Sequence, residues 1–150
     1  MSNVIYIKGD LFNATKGSVL AHAVNGQGVW GSGIAKQFKE HFPISFNAYK
    51  MVCNTLRKNS IPGLALSFAK ENGYTVLALF TSENYGDKVS SPDVILSNTY
   101  SCFEDLMDHS DIREIHMPKI NSGLFNVPWE LTEKVLLEFP EITFYVYSQV

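Results

Sequence analysis

His22 stands three residues before Asn25, at the end of an apolar run that leads into four glycines within the eight residues Gly26 to Gly33. An imidazole with an ordinary pKa of about 6.5 can transfer protons at neutral pH. Glycine admits positive φ and close backbone approach, so successive N–H groups in such a stretch can converge on an anion at a helix N-terminus. Together these features would suit hydrolysis of a phosphomonoester, in which amides stabilise charge on the phosphoryl oxygens and a neighbouring group handles the proton. His22 also alternates in register with Leu20 and Val24, the pattern of a buried core histidine. The spacing contains no GxxxxGK[ST] phosphate loop and does not fit GxGxxG without forcing.

Two further stretches carry chemistry. Asn121-Ser122-Gly123-Leu124-Phe125-Asn126 follows one apolar run and precedes a helical one, with Asn126 expected to cap that helix and Pro128 to lie in its first turn. A tight turn there leaves amides free, so two loops can grip a diphosphate from both sides without basic side chains. Gly9-Asp10 follows the first apolar run, and Asp10 reads either as a turn residue or as an acceptor for the exocyclic amine of a base.

The elements that must hold these loops alternate along the chain. Strand-like runs, short and rich in β-branched and aromatic residues, are Val4 to Ile7, Val19 to Val24, Leu64 to Phe68, Tyr74 to Phe80, Ile115 to Met117 and Ile142 to Tyr147. Helical spacing marks Ile34 to Phe42, Phe46 to Leu56, Val94 to Met107 and Trp129 to Phe139, the last with Leu131, Val135 and Phe139 on one stripe. Ser82 to Pro92 is a polar loop within the domain. This order predicts a single α/β domain over residues 1–150, a three-layer α/β/α sandwich with a mixed central sheet. Ligands of such sheets sit at the carboxyl ends of strands, where the glycines fall.

With 150 residues, 45% hydrophobic and 13% aromatic, the chain can build one sizeable core. A net charge of -3 and a pI near 5.8 argue against a broad basic surface for direct nucleic-acid binding. No leader or membrane-span pattern is seen, so the expected setting is cytoplasmic, with the nucleus as a further possibility. Cys53 and Cys102 lack metal-ligand spacing and read as reduced core thiols. His41, His109 and His116 read as structural or solvent-facing, and Tyr74, Tyr100, Tyr145 and Tyr147 as amphipathic core residues. Lys119 can offer charge to a phosphate or simply face solvent, and Trp30, an unusual core filler for a phosphate loop, can shape a pocket entrance.

From Val4 to Tyr147 the chain resembles the macro domain family, through Gly9-Asp10-Leu11-Phe12, His22-Ala23-Val24-Asn25, Gly31-Ser32-Gly33-Ile34-Ala35 and Asn121-Ser122-Gly123-Leu124-Phe125. Within it, Trp30 to Ala35, Leu79-Phe80-Thr81-Ser82 and Met117 to Gly123 are most similar to the stand-alone ADP-ribose 1''-phosphate phosphatases. The resemblance implies a small-molecule ligand, ADP-ribose or ADP-ribose 1''-phosphate, held without metal, with a substrate arising from RNA splicing; no cofactor is expected, and a monomer is favoured with the oligomeric state left open. It implies that Gly9, Asp10 and Leu11 meet the adenine end. Gly28, Trp30, Gly31, Ser32, Gly33 and Ile34 would meet the distal ribose and phosphate, and Ser82 would be a further ligand-binding residue. Asn121, Ser122, Gly123, Leu124 and Phe125 would meet the diphosphate, with Phe125 against the distal ribose. His22 and Asn25 would be the catalytic pair. Related glycohydrolases, which remove ADP-ribose from protein or nucleic acid, are the competing reading, but the lysine on which they rely is replaced here by Ser82 and Glu83. A non-catalytic ADP-ribose reader is the third.

Overall fold

The computed structural model describes residues 2–149. Its strands are β1 (Val4–Lys8), β2 (Val19–Asn25), β3 (Ala65–Ser67), β4 (Thr75–Ser82), β5 (Glu114–Pro118) and β6 (Thr143–Ser148), and its helices α1 (Gly33–His41), α2 (Pro43–Thr55), α3 (Pro92–His109) and α4 (Trp129–Leu137). They form one sheet in the order β1-β6-β5-β2-β4-β3, in which only β3 runs antiparallel to its neighbour. The result is the expected mixed sheet with helices on both faces.

Period-two alternation divides each strand between two cores. Ala21, Leu77, Leu79, Met117, Phe144 and Val146 face α3 and α4, where they pack on Cys102, Phe103, Leu106, Val135 and Leu136. Leu20, Val24, Val76, Ala78 and Phe80 face the opposite way and pack on Phe38 of α1 and on Tyr49 and Cys53 of α2. Each large apolar side chain enclosed in this way stabilises the fold by roughly 1.5–3 kcal/mol relative to exposure.

These two cores send the chain in opposite directions. β2 leads into α1 on one face, whereas β5, its neighbour, leads into α4 on the other. The ladder between them is short, centred on Leu20 beside His116, so their carboxyl ends open into a crevice at a topological switch point.

Most element boundaries lie within one to three residues of the sequence reading, with β4 reaching Ser82 and α3 starting at Pro92, at the two ends of the expected polar loop, and two helix starts show why. α2 begins at Pro43, three residues before the expected Phe46, because Pro suits the first helical position and Glu71, distant in sequence, caps the helix. Buried Glu71 accepts the Ile44 and Ser45 N–H groups at 3.0 and 2.8 Å and the Ser45 hydroxyl at 2.9 Å. α4 begins at Trp129, so Pro128 is its N-cap rather than part of its first turn, and Asn126 does not cap it. Asn126 instead adopts φ 60° in the preceding turn. Glu71→Ala should destabilise the protein by about 2–3 kcal/mol in urea denaturation, since it leaves buried helix amides without their charged acceptor.

Candidate functional site

The loop between β2 and α1 is pinned from within. The Asn25 Oδ1 accepts the Gln27 N–H at 2.9 Å and lies 3.5 Å from the Val29 N, while Nδ2 donates to the Val29 carbonyl at 2.7 Å. The Tyr49 hydroxyl donates to the Asn25 main-chain carbonyl at 2.6 Å, and the Lys58 ammonium donates to the Gly26 carbonyl at 2.8 Å. The Gly26 N–H and the Gln27 side chain both donate to the Glu83 carbonyl, tying this loop to the one after β4.

This arrangement separates the four glycines by role. Gly26 and Gly28 are buried, and a Cβ on Gly28 would lie 3.4 Å from Lys50 Cγ and 3.7 Å from Cys53 Cβ of α2. Gly28 is therefore packed against α2. Gly31, Ser32 and Gly33 are exposed, and Gly33 holds φ 61°, a left-handed conformation that favours glycine. Immediately after them the N–H groups of Gly33, Ile34 and Ala35 head α1 without intrahelical acceptors. The first turn of α1 carries no acidic residue, and the Ser32 hydroxyl makes no capping bond. This helix end is thus an open, positively polarised cradle for an anion.

The loop after β5 follows the same logic. Asn121, at φ 67°, turns a buried carboxamide inward, where Oδ1 accepts the Thr81 hydroxyl of β4 at 2.8 Å and Nδ2 donates to Thr99 of α3 at 3.0 Å. The Val127 N–H closes the loop on the Asn121 carbonyl at 2.8 Å. Ser122, Gly123 and Leu124 are left exposed, with Phe125 half-buried. The Ser122 hydroxyl donates to the Lys119 carbonyl at 2.6 Å. The two loops meet across the crevice, since a Cβ on Gly33 would lie 4.0 Å from the Leu124 Cδ1.

After β1, at the same edge of the sheet, Asp10 is exposed and its Oδ1 accepts the Phe12 N–H at 3.0 Å. It is therefore a turn residue whose carboxylate still faces solvent. Leu11 beside it is buried, so its side chain belongs to the core rather than to the edge. Ile34 is half-buried against the α1–α2 core.

Three further expected site side chains are enclosed. His22 is fully buried, stacked on Phe38 at 3.9 Å between ring centroids and set edge-on to Trp30 at 4.5 Å, and neither ring nitrogen meets a hydrogen-bond partner among the described residues. This is the core environment implied by its alternation with Leu20 and Val24, and it presents no nitrogen to the crevice for proton transfer. Trp30 is 1% exposed and fills the same core instead of shaping an entrance. Ser82 is enclosed, and its hydroxyl donates to the Asn84 carbonyl at 2.7 Å and accepts the Ser90 N–H at 3.1 Å, stapling the loop between β4 and α3. Tyr49, Lys58, Thr81 and Thr99 position the two loops, yet their sequence surroundings carry no signal of it. They act from α2, β4, α3 and an intervening turn, and only the folded chain brings them near.

Two surface cavities lie away from these loops. One of about 350 Å³ is lined by Phe12, Lys16, His41, Phe42, Asn72 and Tyr74, and another of about 810 Å³ runs past Lys16, Glu114, His116 and Tyr147. In the second, His116 Nδ1 lies 2.7 Å from the Tyr147 hydroxyl. The first lies at the amino end of the sheet and the second reaches it.

Burial pushes the His22 pKa down to about 3, so the ring is neutral in the folded protein across the physiological range. In the unfolded chain it regains its ordinary value of about 6.5. Its contribution to stability is therefore complete above pH 6.5 and is lost as the pH falls toward 3, because only the unfolded state takes up the proton. His116, also shifted down by partial burial, acts in the same direction. Between pH 7 and 5 the wild type should lose about 2 kcal/mol more stability than His22→Phe, measured by urea denaturation at each pH.

A family profile described as Macro domain matches residues 21–136. An ADP-ribose 1''-phosphate phosphatase of Candida albicans is 38% identical, the alignment covering 95% of this chain and 97% of that protein. One of Debaryomyces hansenii is 37% identical over the same shares. Among solved structures, Thermosipho africanus DarTG in complex with ADP-ribose superposes with a TM-score of 0.78 at 18% identity, covering all of this chain and 42% of that one, a likeness of fold. A profile match over most of the chain, relatives at this identity and a shared fold have one reading: the chain belongs to the macro domain family.

Proposed function

We propose that the crevice binds ADP-ribose and that the protein hydrolyses ADP-ribose 1''-phosphate to ADP-ribose and phosphate. The observation that carries this reading is the open N-terminus of α1 behind Gly31-Ser32-Gly33, facing the second amide-rich loop at Ser122 to Phe125. The order of strands supports the ligand's orientation. Along the carboxyl edge β1, β6, β5 and β2, Asp10 comes first, the loop after β5 next and the glycine loop last. Three strand spacings, about 14 Å in all, separate the ends of this row. An adenine near Asp10, a diphosphate on the middle loop and a distal ribose phosphate at α1 would follow the same sequence. Relatives of 37 and 38% identity named for this activity, matched over nearly their whole length, support the substrate.

In the proposed reaction a water oxygen forms the new bond to phosphorus, the bond from phosphorus to the anomeric oxygen breaks, and that oxygen takes up a proton. Amides at the α1 N-terminus stabilise charge on the phosphoryl oxygens. The leaving oxygen belongs to a hemiacetal, more acidic than a simple alcohol, which lowers the demand for a strong general acid. Asn25 serves by holding the loop, with its carboxamide engaged by Gln27 and Val29. Covalent capture of the ribose, as in the glycohydrolases, has no support at Ser82, which is buried and engaged in its loop. A cytosolic or nuclear setting, a monomeric working unit and a substrate arising from RNA splicing go with this proposal.

Incubation with ADP-ribose 1''-phosphate should release inorganic phosphate, whereas incubation with an ADP-ribosylated protein should release no ADP-ribose. The opposite pattern would identify a glycohydrolase, and binding with neither release would identify a reader. Calorimetry should show far tighter binding of ADP-ribose than of AMP. Gly33→Glu should weaken ADP-ribose binding by about tenfold or more, since it puts a carboxylate at the cradle and a side chain at a left-handed φ.

A further inference from the structure

We propose that His22 is the positioning residue of the anion-binding turn, its ring being the shared plate on which the residue before Gly31 and the helix after Gly33 are both seated. This rests on the crevice reading above. Trp30 immediately precedes Gly31, and Phe38 lies five residues beyond Gly33, so the two side chains bracket the exposed turn. Both lie on the same imidazole. Phe38 stacks on it nearly parallel, with planes 7° apart and centroids 3.9 Å apart, and Trp30 meets it edge-on at 74° and 4.5 Å.

The contacts close into a circuit. Trp30 stacks on Tyr49 of α2 at 4.8 Å, the Tyr49 hydroxyl holds the Asn25 carbonyl at 2.6 Å, and Asn25 and His22 belong to the same strand. The segment 31–33 has little stiffness of its own, since two of its three residues are glycine and the Ser32 side chain makes no capping bond. Its amides can converge on one point only if both of its ends are fixed. The circuit fixes them.

What the ring supplies is flatness and width. Neither of its nitrogens, nor the Trp30 Nε1, meets a protein partner among the described residues. A flat ring takes a parallel ring against its face and an edge-on ring beside it at once. His22 therefore acts on the ligand through Trp30 and Phe38.

The test compares wild type with His22→Ala and His22→Phe, reading ADP-ribose affinity by calorimetry, KM and kcat for phosphate release, and the amide resonances of Gly31 and Gly33. Ala should raise Kd and KM by about tenfold, lower kcat less and shift both resonances, while Phe should return affinity and KM to within about threefold of wild type. His22→Leu, close to imidazole in volume, replaces either variant that fails to fold, and is expected to fall between the two. A folded Phe or Leu variant with wild-type affinity but phosphate release about 10²-fold slower would overturn the proposal, because the imidazole would then act in the chemistry. An Ala variant with unchanged affinity and unmoved resonances would overturn it equally. If the wild type binds ADP-ribose but releases no phosphate, the phosphatase reading fails while affinity and resonances still decide the role of His22. If it binds no ADP-ribose, both readings fall.

Discussion

The Asn25 carboxamide, turned inward and bonded to the backbone of its own loop, is the interaction on which the crevice depends. A segment with four glycines in eight residues loses more conformational freedom on folding than ordinary chain, by roughly 0.5–1 kcal/mol for each glycine relative to alanine. Ordering it requires compensating contacts. Asn25 supplies them on the inner side, aided by Tyr49 and Lys58, so the outer side can keep its amides unpaired. Polarity is thereby divided across the thickness of the loop, with the Asn25 carboxamide satisfied within and Gly31 to Gly33 exposed.

Asn121 repeats this solution after the neighbouring strand. Its carboxamide bridges β4 and α3 through threonine hydroxyls, and the residues beyond it are left to face the crevice. Such a buried network is favourable only when its members are paired, because each orphaned group costs about 1–3 kcal/mol. Two loops built in this way can hold an anion without cationic side chains. That agrees with a chain whose net charge is -3 and whose only lysine in the second loop, Lys119, is exposed.

Beneath the glycine loop the packing is aromatic. Phe38, His22, Trp30, Tyr49 and Phe80 form a run of ring contacts that joins α1, β2, the loop, α2 and β4. Close-packed rings resist sliding because each sits in the gap left by the others. The run ties the loop to the sheet and both helices on that face.

The sequence by itself determined the alternation of strands and helices, the two loops with exposed amides and the family, because these follow from local periodicity, glycine spacing and short motifs. It also contained both readings of His22, as a proton carrier beside the glycine loop and as a core residue in register with Leu20 and Val24. Only the tertiary structure decided its surroundings, since they are built by Phe38 and Trp30 from outside its strand. The same holds for the early start of α2, capped by Glu71, and for the division of the glycines into packing and open positions. Local sequence specifies which backbone conformations a segment can adopt. The side chains that enclose a group, satisfy it or leave it facing a crevice come from segments brought together only by burial of the two cores.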